Sequence, residues 1–305
     1  MSPGRRPARK PRPSTPRRSR TERLVLPAAE RKTALLDVIG AAQRRLVLSL
    51  FRCDDFSILD ALAAALDRGC EVEAIVTTRA KGGKKRLKKL WAALEDMGAV
   101  VTRFADPVVK YHAKYLVADE ATAVVTTLNP TRKCFTRTWD AVLITQDTSV
   151  VRGLLTLFRN DAAGVPMLSR RPVGRRLIVG PERSRAEIRS LIAGAQRSIR
   201  ILDHKLSDPD LVGLLKERRA EGISVTVLGM QPMVGVVPHG KMMIIDESRA
   251  VLGSTALSTL SLDFRREVSV VIHDSALVKQ LNMSYQKLSN KAGGASVHLP
   301  GDQTA

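Results

Sequence analysis

The pattern HxKxxxxD occurs twice in this chain. It runs from His112 and Lys114 to Asp119, and again from His239 and Lys241 to Asp246, 127 residues later (239 − 112). An imidazole can attack phosphorus as a nucleophile and can pass a proton to or from an oxygen. An ammonium supplies charge for the non-bridging oxygens of a phosphate. In extended chain, residues two apart point to one face, so each His travels with its Lys. Two such pairs on duplicated halves can build one symmetric site for a phosphodiester. One copy is a weak signal. Two copies in register with a repeated framework are strong, because structural histidines on similar strands would leave the repeated Lys unexplained.

The elements that must hold these pairs also recur. Residues 32–77 read as helix (32–43), strand (45–51), helix (57–68) and strand (70–77). Residues 181–229 repeat that order. A helix opens near Pro181, with Ser184 and Glu187 spaced as a capping box; strand 199–202, helix 208–221 and strand 223–228 follow. Gly69 and Gly222 fall just past the ends of helices, where a left-handed residue is wanted. VIGAAQRRLVL aligns with LIAGAQRSIRI, pairing Gln43 with Gln196 at an offset of 153, whereas the HxKxxxxD copies are offset by 127. The first half therefore holds 26 extra residues (153 − 127), matching 79–104. Within them, 84–97 reads as a helix with Leu87, Leu90, Leu94 and Met97 on one face and a block of Lys and Arg on the other.

The motif strands, 115–118 and 242–245, are almost continuously apolar, as interior strands covered on both faces are. Each is followed by an apolar run, 123–128 and 250–252, read as its hairpin partner. The expected fold is α/β, with two similar halves, each a mixed sheet flanked by helices. The expected organisation is a disordered basic tail over 1–24, a first half over 25–168, a second over 169–290 and a flexible tail over 291–305. The boundary falls in the Pro-, Gly- and Arg-rich stretch 164–176, and 275–289 reads as a closing helix.

Over roughly residues 30–290 the chain resembles the phospholipase D superfamily. In that family each His-Lys-Asp motif continues to Gly-Ser-x-Asn and then to an acidic residue. Here the sequel is Thr126-Thr127-Leu128-Asn129, then Asp140, in the first half. In the second it is Gly253-Ser254-Thr255-Ala256, then Glu267. Thr126-Thr127 stands for Gly-Ser, Ala256 for the second Asn and Asp140 for Glu, so the two half-sites are unequal. The resemblance implies a pseudo-two-fold fold with the site at the interface of the halves. It also implies metal-independent, two-step chemistry through a covalent phosphohistidine, with no cofactor. By that analogy His112 is the nucleophile and His239 the acid and base, symmetry allowing the reverse. Lys114 and Lys241 hold the non-bridging oxygens, and Asn129, Thr127 and Ser254 donate to the same oxygens. Asp140 and Glu267 accept from the other imidazole nitrogens and fix the tautomers. Asp119 and Asp246 support the motif at strand ends.

Net charge is +20 over 305 residues, and residues 1–24 hold nine Lys and Arg against Glu22. Such a segment buries no apolar surface; it is an arm for nucleic acid or anionic lipid, or a solvated leader. The basic face of 84–97 favours a polyanion in the same way. No apolar run approaches the roughly 18–20 residues that span a bilayer, and the basic N-terminus lacks the apolar core of a secretory signal. Cys53, Cys70 and Cys134 have no metal-ligand spacing and suit a reducing cytosol; no metal site or Gly-rich phosphate loop is expected. The expected location is cytoplasmic, peripheral at an anionic membrane surface. The expected substrate is a phospholipid, cleaved or transferred as phospholipases D and cardiolipin synthases do. The apolar stretch 230–237, leading into His239, suits an acyl chain or forms part of the core. The alternative is a metal-independent nuclease, which the charge suits, although 4% aromatic residues leave few platforms for stacking single strands. Intact His and Lys at both motifs argue against a non-catalytic binding scaffold. His204, equivalent to Phe51 of the first half, is read as a loop histidine or a residue of the pocket mouth, and Cys134 as a small buried residue.

Overall fold

A computed structural model describes residues 21–80, 83–166, 173–230, 233, 235–292 and 299–301. The first half runs β1 (Glu22–Val25), α1 (Ala28–Ala41), β2 (Arg45–Leu50), α2 (Phe56–Asp67), β3 (Glu71–Thr77), α3 (Lys84–Asp96), β4 (Val100–Phe104), β5 (Lys110–Tyr111), β6 (Tyr115–Ala118), β7 (Thr122–Thr126), α4 (Arg132–Thr136), β8 (Thr138–Trp139), β9 (Val142–Thr145) and α5 (Thr148–Ala162). The second runs β10 (Leu177–Gly180), α6 (Ser184–Ala193), β11 (Ser198–Leu202), α7 (Pro209–Ala220), β12 (Ser224–Leu228), β13 (Val237–Pro238), β14 (Lys241–Ile245), β15 (Arg249–Gly253), α8 (Thr259–Phe264), β16 (Arg265–Ile272) and α9 (Ser275–Lys291).

The two main sheets share one strand order, β1-β9-β7-β6-β2-β3-β4 in the first half and β10-β16-β15-β14-β11-β12 in the second. Registers correspond as well: Leu46 pairs with Ala118, and Ile199, 153 positions after Leu46, pairs with Ile245, 127 after Ala118. The extra residues of the first half become α3 and β4, and β4 extends the sheet edge parallel to β3. As the periodicity predicts, α3 buries Leu87, Leu90 and Leu94 and leaves its Lys and Arg exposed.

Each motif strand is covered on both faces, which is why it reads as continuously apolar. In β6, Tyr115 and Val117 enter the core between the halves, whereas Leu116 and Ala118 enter the first half's outer core. In β14, Met242 and Ile244 face the shared core and Met243 and Ile245 the second half's own. Leu154, Leu157 and Phe158 of α5 and Leu277 and Leu281 of α9 complete the shared core. Each such side chain contributes roughly 1.5–3 kcal/mol on burial, so the halves hold one another in a fixed relation.

The motif aspartates brace this frame. Asp119 (φ 51°) and Asp246 (φ 52°) occupy the left-handed region in the tight turns after β6 and β14, a conformation Asp tolerates. The Asp119 carboxylate accepts from the backbone N–H groups of Gln43, Arg44 and Arg45 at 2.8–3.0 Å. Asp246 accepts from Gln196, Arg197 and Ser198 at 2.7–3.1 Å. Each clamps the end of a motif strand to the start of its neighbour, β2 or β11.

Some expectations change. Residues 22–24, assigned to the basic tail, are strand: Glu22 accepts from Thr145 at 2.6 Å and from Arg176 at 2.9 Å, and β1 pairs with β9. Residues 1–20 of that tail lie outside the described residues, as do 167–172 of the expected boundary and 293–298 and 302–305 of the expected C-terminal tail. Leu299, within that last stretch, is buried in the second half's core. Ser184 does not cap α6. It is the first helical residue, its hydroxyl donates to Leu262 O at 2.8 Å, and Glu187 binds Arg183 instead. Pro181 precedes the helix rather than entering it.

Candidate active site

The two-residue strands β5 and β13 each leave their own half. β5 pairs in parallel with β16, setting Lys110 opposite Arg265 and Tyr111 opposite Arg266. β13 pairs in parallel with β8, setting Val237 opposite Thr138 and Pro238 opposite Trp139. The next residue along is a motif histidine on one side and an acidic residue on the other. Backbone bonds hold the crossing: His112 N–H donates to Arg266 O at 2.9 Å and Gly240 N–H to Trp139 O at 2.8 Å. His112 Nδ1 then lies 2.9 Å from Glu267 Oε2, and His239 Nδ1 lies 2.9 Å from Asp140 Oδ1. Each carboxylate comes from the half opposite to its histidine, and both are fully buried. Gly240 is required here, since a Cβ would sit 2.7 Å from ring carbons of Trp139.

Each motif lysine turns back on its histidine. Lys114 Nζ donates to His112 O at 2.6 Å and Lys241 Nζ to His239 O at 2.7 Å. Lys114 Nζ also lies 3.1 and 3.3 Å from the ring nitrogens of His112. The four groups act on one another across the interface, since Lys241 depresses His112 and Lys114 depresses His239. Burial pushes His112 down to about 3 and Lys114 down to about 7. His239 is lowered too, by burial, with Asp140 opposing. Burial works to raise both carboxylates, but His239 holds Asp140 below its usual range and His112 and Lys114 do the same for Glu267. Both imidazoles are therefore neutral at neutral pH. A carboxylate accepts at each Nδ1, so that nitrogen carries the proton and Nε2 keeps a lone pair.

Two expected phosphate donors are used elsewhere. The Thr127 hydroxyl donates to Asp140 Oδ1 at 2.7 Å and accepts from Ala141 N–H at 3.0 Å, while Thr138 donates to Asp140 Oδ2. Thr127 thus orients the acid rather than the substrate. The Ser254 hydroxyl donates to Val268 O at 3.2 Å and accepts from Val268 N–H at 3.0 Å. Their exposures of 0% and 1% leave no face for a ligand. Asn129, the third expected donor, lines a cavity with His239, and its Oδ1 is buried without a partner. Ser261 supports Glu267 at 2.9 Å.

Other residues flank the site. His204 stacks on His239 with ring centroids 6.4 Å apart, and Phe51 packs edge-on to His112 at 4.4 Å. The two are equivalent at the offset of 153 that aligns the halves, which was the available signal. Arg31, 2% exposed, donates to Cys134 O at 3.2 Å and Thr138 O at 2.8 Å and braces the segment before Asp140. Cys134 is buried; with Asp140 and His239 it forms the one group among the described residues whose potential metal-ligand atoms lie within 4.8 Å of one another. In the apolar stretch before His239, Met233 and Val236 pack against the shared core and Met230 against the second half's. Val237 is exposed, and Val234 lies outside the described residues.

Residues 35–162 match the family described as cardiolipin synthase, PLD-like domain. No curated protein matches the chain significantly. Among solved structures, polyphosphate kinase from Porphyromonas gingivalis is similar with a TM-score of 0.70 at 19% identity, over 87% of this chain and 46% of that one. The chain thus spans under half of that protein's length. Phosphatidylserine synthase from Haemophilus influenzae Rd KW20 is similar with a TM-score of 0.67 at 12% identity, over 90% of this chain and 86% of that one. At such identities the likeness is one of fold. No helix among the described residues is long and apolar enough to cross a membrane. Residues 35–162 thus match a PLD-like domain of the cardiolipin synthase type, and the second half repeats the strand order of the first.

Proposed function

We propose that the chain cleaves or transfers phosphodiesters through a phosphohistidine, and that its substrate is a phospholipid. The observation that carries the chemistry is the pair of His–carboxylate contacts at 2.9 Å, each flanked by a lysine. His112, the more strongly depressed imidazole, attacks phosphorus through Nε2 and forms the N–P bond. His239 takes up a second proton at Nε2 when the anionic diester binds, and gives it to the leaving alcohol's oxygen as the P–O bond breaks. His239 then takes a proton from water or an acceptor alcohol, whose oxygen attacks phosphorus and releases His112. Lys114 and Lys241 balance the charge that builds on the non-bridging oxygens. Glu267 and Asp140 stabilise each ring when it carries positive charge.

The lipid reading draws support from the cardiolipin synthase family matched over 35–162 and from the fold shared with a phosphatidylserine synthase over 90% of the chain. A net charge of +20 would hold the protein at an anionic bilayer. A nuclease is the second reading, favoured by the exposed Lys84, Lys85, Lys88 and Lys89 on α3. Labelled phosphatidylglycerol, phosphatidylcholine, and single- and double-stranded DNA should be offered together with EDTA, with His112→Ala and His239→Ala as controls. Lipid turnover that both variants abolish is the expected result. Turnover of DNA alone would replace the substrate, and activity abolished by EDTA would contradict the mechanism.

A further inference from the structure

The insertion in the first half gives the two histidines unlike surroundings. Its residues Gly83, Arg86, Leu87 and Leu90 form one wall of a cavity of about 270 Å³ that reaches His239 and Asn129. Among the described residues the second half has no counterpart of α3 and β4. Arg52, Arg86 and Lys133 bring three cations to this cavity against the single carboxylate of Asp54. Asn129 also lines it, 7% exposed, and its Oδ1 has no donor. Leu87 and Leu90 add apolar lining. A molecule complementary to this lining has an anionic group, a hydroxyl and a short carbon skeleton.

We propose that this cavity takes the alcohol that leaves, or is added to, the phosphorylated His112, and that this alcohol bears a phosphate of its own, as glycerol 3-phosphate does. The inference rests on the phosphodiester reading, in which His239 serves the leaving and entering oxygen; the cavity adjoins that imidazole. Asn129 accepts from a hydroxyl of the alcohol, and the second phosphate lies among Arg52, Arg86 and Lys133. In the transfer step the acceptor's O–P bond forms as the His112 N–P bond breaks, and the acceptor's proton passes to His239. The volume sits near the lower end of ordinary ligand sites, roughly 300 Å³, and suits a phosphorylated three-carbon alcohol better than a diacyl chain pair. The acyl-bearing side of a lipid then lies toward His112.

The test is calorimetric titration of the full chain with glycerol 3-phosphate, glycerol and inorganic phosphate, in the wild type, Arg86→Ala, Arg86→Lys and Lys133→Ala. Arg86 and Lys133 are exposed, so these replacements leave the core intact. Glycerol 3-phosphate should bind about tenfold more tightly than either fragment, each Ala variant should weaken it about tenfold, and Arg86→Lys should restore most of the loss. Equal affinity for glycerol 3-phosphate and inorganic phosphate, or affinity unmoved in Arg86→Ala, overturns the proposal. In turnover, the preference for glycerol 3-phosphate over glycerol as acceptor should fall about tenfold in Arg86→Ala, and an unchanged preference also overturns it. A wild type that cleaves no diester at all sinks the phosphodiester reading, while the titration still judges the cavity.

Discussion

His112 and Glu267 stand 155 residues apart in the chain and 2.9 Å apart in space. The reciprocal contact joins His239 to Asp140 across 99 residues at the same 2.9 Å. Each half therefore holds the group that sets the tautomer of the other's histidine. The duplicated halves are interlocked at the level of single protons, and neither contains a complete acid–base pair.

This crossing predicts the effect of neutralising either acid. Glu267→Gln or Asp140→Asn keeps the shape but lets the amide hold the wrong tautomer, so kcat should fall by about 10²–10⁴-fold. Circular dichroism and the thermal midpoint would check that the fold survives. Activity within a few-fold of wild type in both variants would remove the acids from the mechanism.

The two histidines should differ when a diester with an activated leaving group is used. Because such a group departs without a proton, His239→Ala should still form the phosphohistidine and then stall, whereas His112→Ala should form none. Intact-mass spectrometry after acid-free quenching reads the adduct. An adduct on His239 in the His112→Ala protein would reverse the two roles.

Two pH effects follow from burial. The folded pKa of His112 lies near 3, below its ordinary 6.5, so folding favours the neutral ring. This contribution is complete above about 6.5 and is lost progressively as pH falls toward 3; Glu267, held down to about 2, adds a loss beginning near its ordinary 4.5. The thermal midpoint should therefore drop between pH 7 and pH 4, and a flat profile there would mean that the ring is solvated. On the alkaline side, Lys114 is pushed down to about 7, so kcat/KM should decline above that pH as the ammonium is lost. Lys114→Arg, which keeps its charge, should move that limb upward if it retains activity.

Gly240→Ala tests the β8–β13 crossing. The new Cβ would meet the Trp139 ring at 2.7 Å and Thr127 Oγ1 at 3.0 Å, and Trp139 is itself tied to Ser284 through Nε1 at 2.9 Å. The ring cannot yield freely, so His239 should be displaced from Asp140. We expect activity to fall by at least about 10²-fold, with a stability loss of about 1–3 kcal/mol in urea denaturation. Wild-type turnover in this variant would show that the close approach is dispensable.

The local pattern carried much of this protein. The periodic apolar faces, the two offsets and the turn glycines specified the repeated helices and strands, and they identified α3 and β4 as the insertion, because each depends on residues a few positions apart. The motif aspartates could be read as structural for the same reason. Short-range spacing said less about hydroxyls: Thr127 and Ser254 occupy the expected slots, yet their bonds are set by Asp140 and Val268, which other strands deliver.

From the chain alone came two His–Lys couples on duplicated sheets and the acids that belong with them, since these are matters of residue type and register. The tertiary structure decided which acid lies against which histidine, that His204 and Phe51 flank the rings, and that a cationic cavity opens beside His239. The physical reason lies in β5 and β13. Strands of two residues have no periodicity to read, and their partners are chosen by the packing of one half against the other.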